Sequence, residues 1–261
     1  MDVADTRENE AAFGRPGASR GKSAYPQPRF VSLVENGTHV LFGTRMAEFA
    51  AGEIALAKKV IGNLKAGFLC LAGRGFFGFE PWEQGRATGA ALPWRVKKNM
   101  PLPCGERLRD GSYLSRIHPS PRDRRKDTQA VRVRVVEYTL QGLPGAEEVY
   151  RLITTILDAS EAPAHELAAL YHQRWEIENA LDQLKTHLRG GNIVLRSKTP
   201  ELVKQEFHGL MMAHIRGLMH EAALKADIDP GEVSFVHPVR VVRREPPAFP
   251  AFSPSQEENL S

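Results

Sequence analysis

The chain has 261 residues, 42% hydrophobic and 25% charged, with a formal net charge of +4. That length buries one sizeable core, or one core with an insertion, and the mild positive excess suits an anionic partner such as nucleic acid without demanding one. The polar, acidic start MDVADTRENE excludes a secretory signal, no stretch reaches the apolar length of a bilayer span, and Cys70 and Cys104 make neither a disulfide framework nor a zinc pattern, so a cytoplasmic protein without a membrane is expected.

In chain order, residues 1–28 are rich in Gly, Pro, Arg and Ser and read as loop. GASRGKS has one residue too few between its glycines for a phosphate-binding loop, and no strand precedes it. FVSLVENG (30–37) and THVLFGTR (38–45) read as two strands joined at Asn36-Gly37, a strong hairpin signal. Residues 52–66 follow as a helix, with Ile54, Leu56, Val60, Ile61 and Leu64 on its apolar face. FLCLA is a short apolar strand, with Cys70 in the core. A helix covers about 80–90, and ALPWRVKK is the next strand. Beyond a Pro-, Gly- and Arg-rich stretch containing RDRRKD, VRVRVVEYTL alternates, with Arg132 and Arg134 placed on its exposed face. EVYRLITTILD is a further strand. Ser160 is the expected cap of a long helix over 162–189 with Pro163 in its first turn; Gly190-Gly191 ends it, and a second long helix runs over 200–225. The tail EPPAFPAFSPSQEENLS has the composition of a disordered end.

Within the first long helix, Tyr171, Arg174, Glu178 and Lys185 fall inside an arc of about 60° at 3.6 residues per turn. Beside them runs a stripe of Leu170, Ile177, Leu181, Leu184 and Leu188. Spacing alone also suits ordinary surface ion pairs, each worth a few tenths of a kcal/mol. The full pattern Y-x2-R-x3-E-x6-K, set in YHQRWEIENALDQLKTHLRG, resembles the signature helix of insertion-sequence DDE transposases of the Tyr-Arg-Glu-Lys group. The resemblance continues through LRSKTPELVKQEFHGLMMAH and upstream through AFGRPGASRG, GEIALAKK, RGFFGFEPWEQGRATGA and WRVKKN, spanning roughly residues 2–244.

This resemblance implies an α/β fold, a ribonuclease-H-like mixed sheet with flanking helices and a β-rich insertion. It implies divisions at 1–92 (first part of the catalytic core), 93–147 (insertion), 148–226 (second part, with the signature helix) and 227–261 (tail). It further implies two Mg²⁺ ions held by Asp, Asp and Glu, DNA as partner at transposon ends, compatibility with a homodimer, and no small-molecule cofactor. Two hard cations held close together need several carboxylates, because one activates the nucleophile while the other stabilises the leaving oxygen. Glu178 would be the metal-binding Glu, with Tyr171, Arg174 and Lys185 contacting DNA.

The family's second Asp closes a segment resembling apolar-Ala-Asp-Arg-Gly-Phe. Here LAGRGFF puts Gly73 in its place. The first Asp belongs ahead of the segment matched by DVADT, and Asp2 and Asp5 match non-catalytic positions. The expectation is therefore a truncated, degenerate transposase lacking the first core strand and two of three carboxylates, in which bound Mg²⁺ is lost. Two other readings stay open. One is a DNA-binding or oligomerising remnant gripping phosphates through RDRRKD, WRVKKN and RVVRR. The other is an NADP-dependent oxidoreductase built on Gly73, Gly75 and Gly78, a literal G-x-G-x-x-G, with Arg95, Lys97 and Lys98 near a 2′-phosphate.

Overall fold

The computed structural model describes residues 1–18, 21–36, 39–139, 149–175, 178, 181 and 194–212. Residues 7–13, read from composition as loop, form helix α1 (Arg7–Phe13). Thr6 caps it, its hydroxyl accepting from the Asn9 N–H at 3.1 Å. Its Phe13 packs with Val3, Leu195, Val203 and Phe207, so helix α1 docks on the later helix over Pro200–Met212. Two-residue strands β1 (Gly17–Ala18) and β2 (Gly21–Lys22) pair after it.

Strands β3 (Arg29–Val34) and β4 (Leu41–Ala47) form the expected antiparallel hairpin, with an irregularity between Val31 and Leu33. Its connection is wider than a two-residue Asn-Gly turn: the Glu35 N–H donates to Val40 O at 3.0 Å, and strand pairing begins at Leu41. Helix α2 (Glu53–Ile61) buries Leu56, Ala57, Val60 and Ile61. Ile54 belongs to the expected face but is exposed, because the buried stripe is centred on 56/57/60/61. At Gly43 the backbone sits at φ +61°, and an added Cβ would lie 2.8 Å from the Asn63 amide. That amide is itself held by Val60 O at 2.8 Å. Gly43→Ala is expected to cost about 1–3 kcal/mol, read as a lower denaturant midpoint at unchanged slope.

The FLCLA stretch is extended only in part, bridging in parallel at Leu69–Ala91 and Ala72–Trp94. Helix α3 (Phe79–Ala87) crosses between these segments and buries Trp82. The Trp82 ring meets Trp94 edge-on at 5.4 Å. Trp94 belongs to β5 (Trp94–Arg95), the edge of a five-stranded antiparallel sheet. Its other strands are β6 (Glu106–Arg107), β7 (Tyr113–Ile117), β8 (Val131–Tyr138) and β9 (Tyr150–Thr154), in the order β5-β9-β8-β7-β6. Short helix α4 (Pro121–Lys126) joins β7 to β8, capped by Ser120. A parallel strand–helix–strand unit thus feeds an antiparallel sheet, and the architecture is mixed α/β.

Strand β8 corrects one expectation. Arg132 is exposed as alternation requires, but Arg134 is fully buried, at 0%. The sheet face it occupies is covered by the loop at Asp110 and by the approach to helix α5 (Ala164–His172), and these supply its partners. The Arg134 guanidinium donates to Asp110 (2.5 Å), Ser112 Oγ (2.8 Å) and Ala162 O (2.7 Å). The start of α5 differs too. Its cap position is Pro163, with no side-chain cap. Ser160 instead donates through N–H and Oγ to Asp158 at 2.8 and 2.7 Å, closing the turn ahead of the helix. Helix α5 lays Leu167 and Tyr171 on Val136 and Leu152 and passes into a 3-10 turn at Gln173–Trp175. Helix α6 (Pro200–Met212) closes the described chain. The remainder of the two long helices expected over 162–189 and 200–225 lies outside the described residues.

Candidate functional site

Helix α5 and the 69–72 strand meet where the sequence places its candidate residues. The Tyr171 hydroxyl donates to Ala72 O at 3.3 Å, tying the helix to the residue before Gly73. One turn on, Arg174 lies 5.8 Å from the Tyr171 ring centre and 4.0 Å from the Glu178 carboxylate. Arg174 and Gly73 line the same cavity. The structure therefore brings Gly73, Tyr171 and Arg174 together, with Glu178 beside Arg174 and 55% exposed. Lys185 lies outside the described residues. Asp2 and Asp5 are held elsewhere, Asp2 accepting from Gln27 at 2.6 Å and Asp5 pairing with Arg15.

The surroundings are cationic and aromatic. Tyr138 stacks on Tyr150 at 5.3 Å, and the Arg95 guanidinium lies 4.3 Å from the Tyr150 ring centre. Burial pushes the Tyr171 hydroxyl pKa up, while the charges of Arg174, Arg95 and Arg74 oppose the shift. Burial likewise raises Tyr138, against Arg95 and Arg174. Arg95 and Arg174 thus act on both phenols, and Arg74 on Tyr171 as well. Tyr138 and Tyr150 escaped the sequence reading because they come from strands β8 and β9. They are brought together only by the register pairing Tyr138 with Tyr150. The Cys70 thiol is pushed up to about 11 by burial, as a core cysteine should be.

Among the described residues, a pair of Mg²⁺ ions does not fit the donor set. Hard cations require converging carboxylate oxygens, and no group of three or more His, Cys, Asp or Glu side chains comes together there. Glu178 leans on Arg174, and position 73 carries no side chain. Gly73 has room for one, since no atom lies within 4 Å of a Cβ built there. Gly73→Asp is expected to leave stability within about 0.5 kcal/mol of the parent, measured by urea unfolding.

With this geometry in view, residues 4–216 match the family model described as the transposase DDE domain. The chain belongs to the DDE transposase family. It is 29% identical over 215 residues to the transposase InsG for insertion sequence element IS4 from Escherichia coli strain K12, covering 80% of this chain. The same match covers 48% of that relative, so the chain spans about half its length. The mixed α/β architecture is consistent with the ribonuclease-H-like core of this family. Membership also takes the 73–78 glycines away from the dinucleotide reading, because LAGRGFF lies within the matched domain.

Proposed function

We propose that this chain binds the DNA ends of an insertion sequence through the surface around Tyr171 and does not cut them. The observation that carries this reading is the placing of Arg174 5.8 Å from the Tyr171 ring centre and Arg95 4.3 Å from that of Tyr150, with Arg74 near enough to act on Tyr171 and Gly73 standing where a second carboxylate is expected. Arginines so placed suit phosphate oxygens. Phosphate contacts fix register and carry little sequence information, which suits a site retaining its grip after losing its chemistry. In this reading Glu178 is the remaining member of the family's carboxylate set, and the resemblance gives Lys185 a further phosphate contact.

A second phosphate-binding face lies on the 93–147 insertion. Arg116 and Arg132 stand directly opposite each other across β7 and β8, a like-charge pairing that disfavours the bare sheet and favours an anion over it. Asp127 offsets part of this charge by pairing with Arg116. The adjacent α4 exposes Arg122, Arg124, Arg125 and Lys126.

The test is incubation of the purified chain with duplex carrying the element's terminal repeats, in Mg²⁺ and then Mn²⁺. Retarded complexes without strand nicking are expected. Reproducible nicking that Glu178→Gln abolishes would overturn the non-cutting half of the proposal, and absence of any complex at low salt would overturn the binding half.

A further inference from the structure

The connection between β7 and β8 carries two carboxylates among its cations, and their surroundings differ. Asp123 closes local bonds, accepting from Ser120 Oγ and from Thr128 Oγ1, the latter at 3.0 Å. Asp127 faces the basic sheet surface. One of its oxygens pairs with Arg116, and the other accepts from His118 Nε2 at 3.0 Å. An ionised carboxylate only accepts, so the Nε2 carries the proton. The His118 bond lowers the Asp127 carboxyl pKa, burial opposes it, and the Arg116 charge lowers it further, so the group is ionised at neutral pH. The His118 side chain is 6% exposed, whereas Arg116 and Asp127 are 55% and 56% exposed. The imidazole is thus a buried post that holds one carboxylate oxygen and aims the other at Arg116. Arg132 lies directly across the strands from Arg116, on the same face.

Position 127 ends α4 in the left-handed region, at φ +49°, where glycine or asparagine is the ordinary choice. Asparagine would still accept from His118, and glycine would relax the backbone, so what aspartate adds at this turn is negative charge. That charge sits where a phosphate oxygen would meet the Arg116 guanidinium. We infer, resting on the reading of this face as phosphate-binding, that the Asp127 carboxylate occupies a backbone-phosphate subsite at Arg116 and withholds that arginine from DNA. An exposed ion pair is weak by itself. A phosphate approaching Arg116 must nevertheless displace an oxygen whose carboxylate is anchored at His118, and it meets the like charge of that carboxylate. Arg132 and the exposed cations of α4 keep their grip, and the face binds with one contact fewer than its arginines offer.

The probe is a fluorescein-labelled duplex of random sequence, bound to the full chain and followed by anisotropy across a salt series. Asp127→Asn is expected to raise the slope of log K against log salt by about 0.9, one phosphate contact, and affinity at 0.15 M salt about fivefold when extrapolated from 1 M. Arg116→Gln should leave the parent slope unchanged and remove the whole gain in the Asp127→Asn background. Glu106→Gln deletes a carboxylate placed on the same sheet face by its register with Leu114, and should not reproduce the gain. Should Asp127→Asn fail to fold, Asp127→Gly suits the left-handed backbone and carries the same test. Arg132→Gln distinguishes the two ways of failing. If it lowers the parent slope by about 0.9 while Asp127→Asn gains nothing, or gains something that survives Arg116→Gln, the face binds DNA without Asp127 governing it, and the inference falls alone. If Arg132→Gln leaves the slope unchanged, the face does not hold phosphate and the inference falls with that reading. An equal gain from Glu106→Gln would also overturn it, by making Asp127 one repelling charge among several.

Discussion

Asp110→Ala is expected to destabilise the chain by about 3–5 kcal/mol, the cost of leaving a buried cation without its counter-charge. Arg134 is 0% exposed and Asp110 17% exposed, so water cannot replace the lost carboxylate. Asp110 also accepts from the Ala164 N–H at 2.8 Å and from Ser112 N–H and Oγ at 3.2 and 2.5 Å. One carboxylate thereby anchors strand β8, its own loop and the first residue of α5. Arg134→Met should cost less, because it removes the buried charge itself and keeps much of the packing. Equilibrium urea unfolding of the two variants separates these cases. The pair also sets an acid limit. Burial pushes the Asp110 carboxyl up, but hydrogen bonds from Ser112 and Ala164 and the Arg134 charge outweigh it and hold the carboxyl below its ordinary value. A carboxylate depressed in the folded state contributes stability above its unfolded pKa, near 3.9, and loses it as pH falls through the folded value. Asp110→Asn should therefore flatten the stability profile below about pH 4. Because Ala164 opens the helix that carries Tyr171 and Arg174, the same variants should weaken DNA binding without touching the site.

The sequence made much of this site legible, through local signals. Tyr171, Arg174 and Glu178 share a helix face by spacing alone, and Gly73 stands out because its neighbours Arg74, Gly75 and Phe76 keep the family's pattern. The hairpin of β3 and β4 followed from Asn36-Gly37 between apolar runs, and α2 from the period of Leu56, Val60 and Ile61. What stayed hidden depends on distant partners. Alternation puts Arg134 on the same face as Arg132, and nothing local says that Asp110, twenty-four residues earlier, and Ala162 will cover one and not the other. Helix α1 is short and set among Gly, Pro and Arg, and its stability rests on Thr6 and on Phe13 meeting Phe207 and Leu195. The Tyr138–Tyr150 stack is a product of register.

Replacing Arg74, Arg95 and Arg174 together by glutamine is expected to lower affinity for DNA by about two orders of magnitude at 0.15 M salt. Each phosphate contact contributes about 0.9 to the slope of log K against log salt, so three contacts remove about 2.7. Extrapolated from 1 M to 0.15 M salt, a slope change of that size gives a loss near 150-fold. Tyr171→Phe supplies the uncharged control. It removes the 3.3 Å bond to Ala72 O and the hydroxyl's bond with Arg174 but no charge, so the slope should stay unchanged, with affinity falling by no more than a few-fold. Arg122, Arg124 and Arg125 changed to glutamine on α4 apportion the grip between the two faces, because independent contacts subtract independently from the slope. The triple variant at Tyr171 also discriminates between grip and packing. Arg95 stacks on Tyr150, so a purely structural role would lower thermal stability while leaving the salt slope of the folded fraction intact. A parental slope in that variant, measured on protein shown to be folded, would move the DNA-binding surface away from Tyr171 altogether.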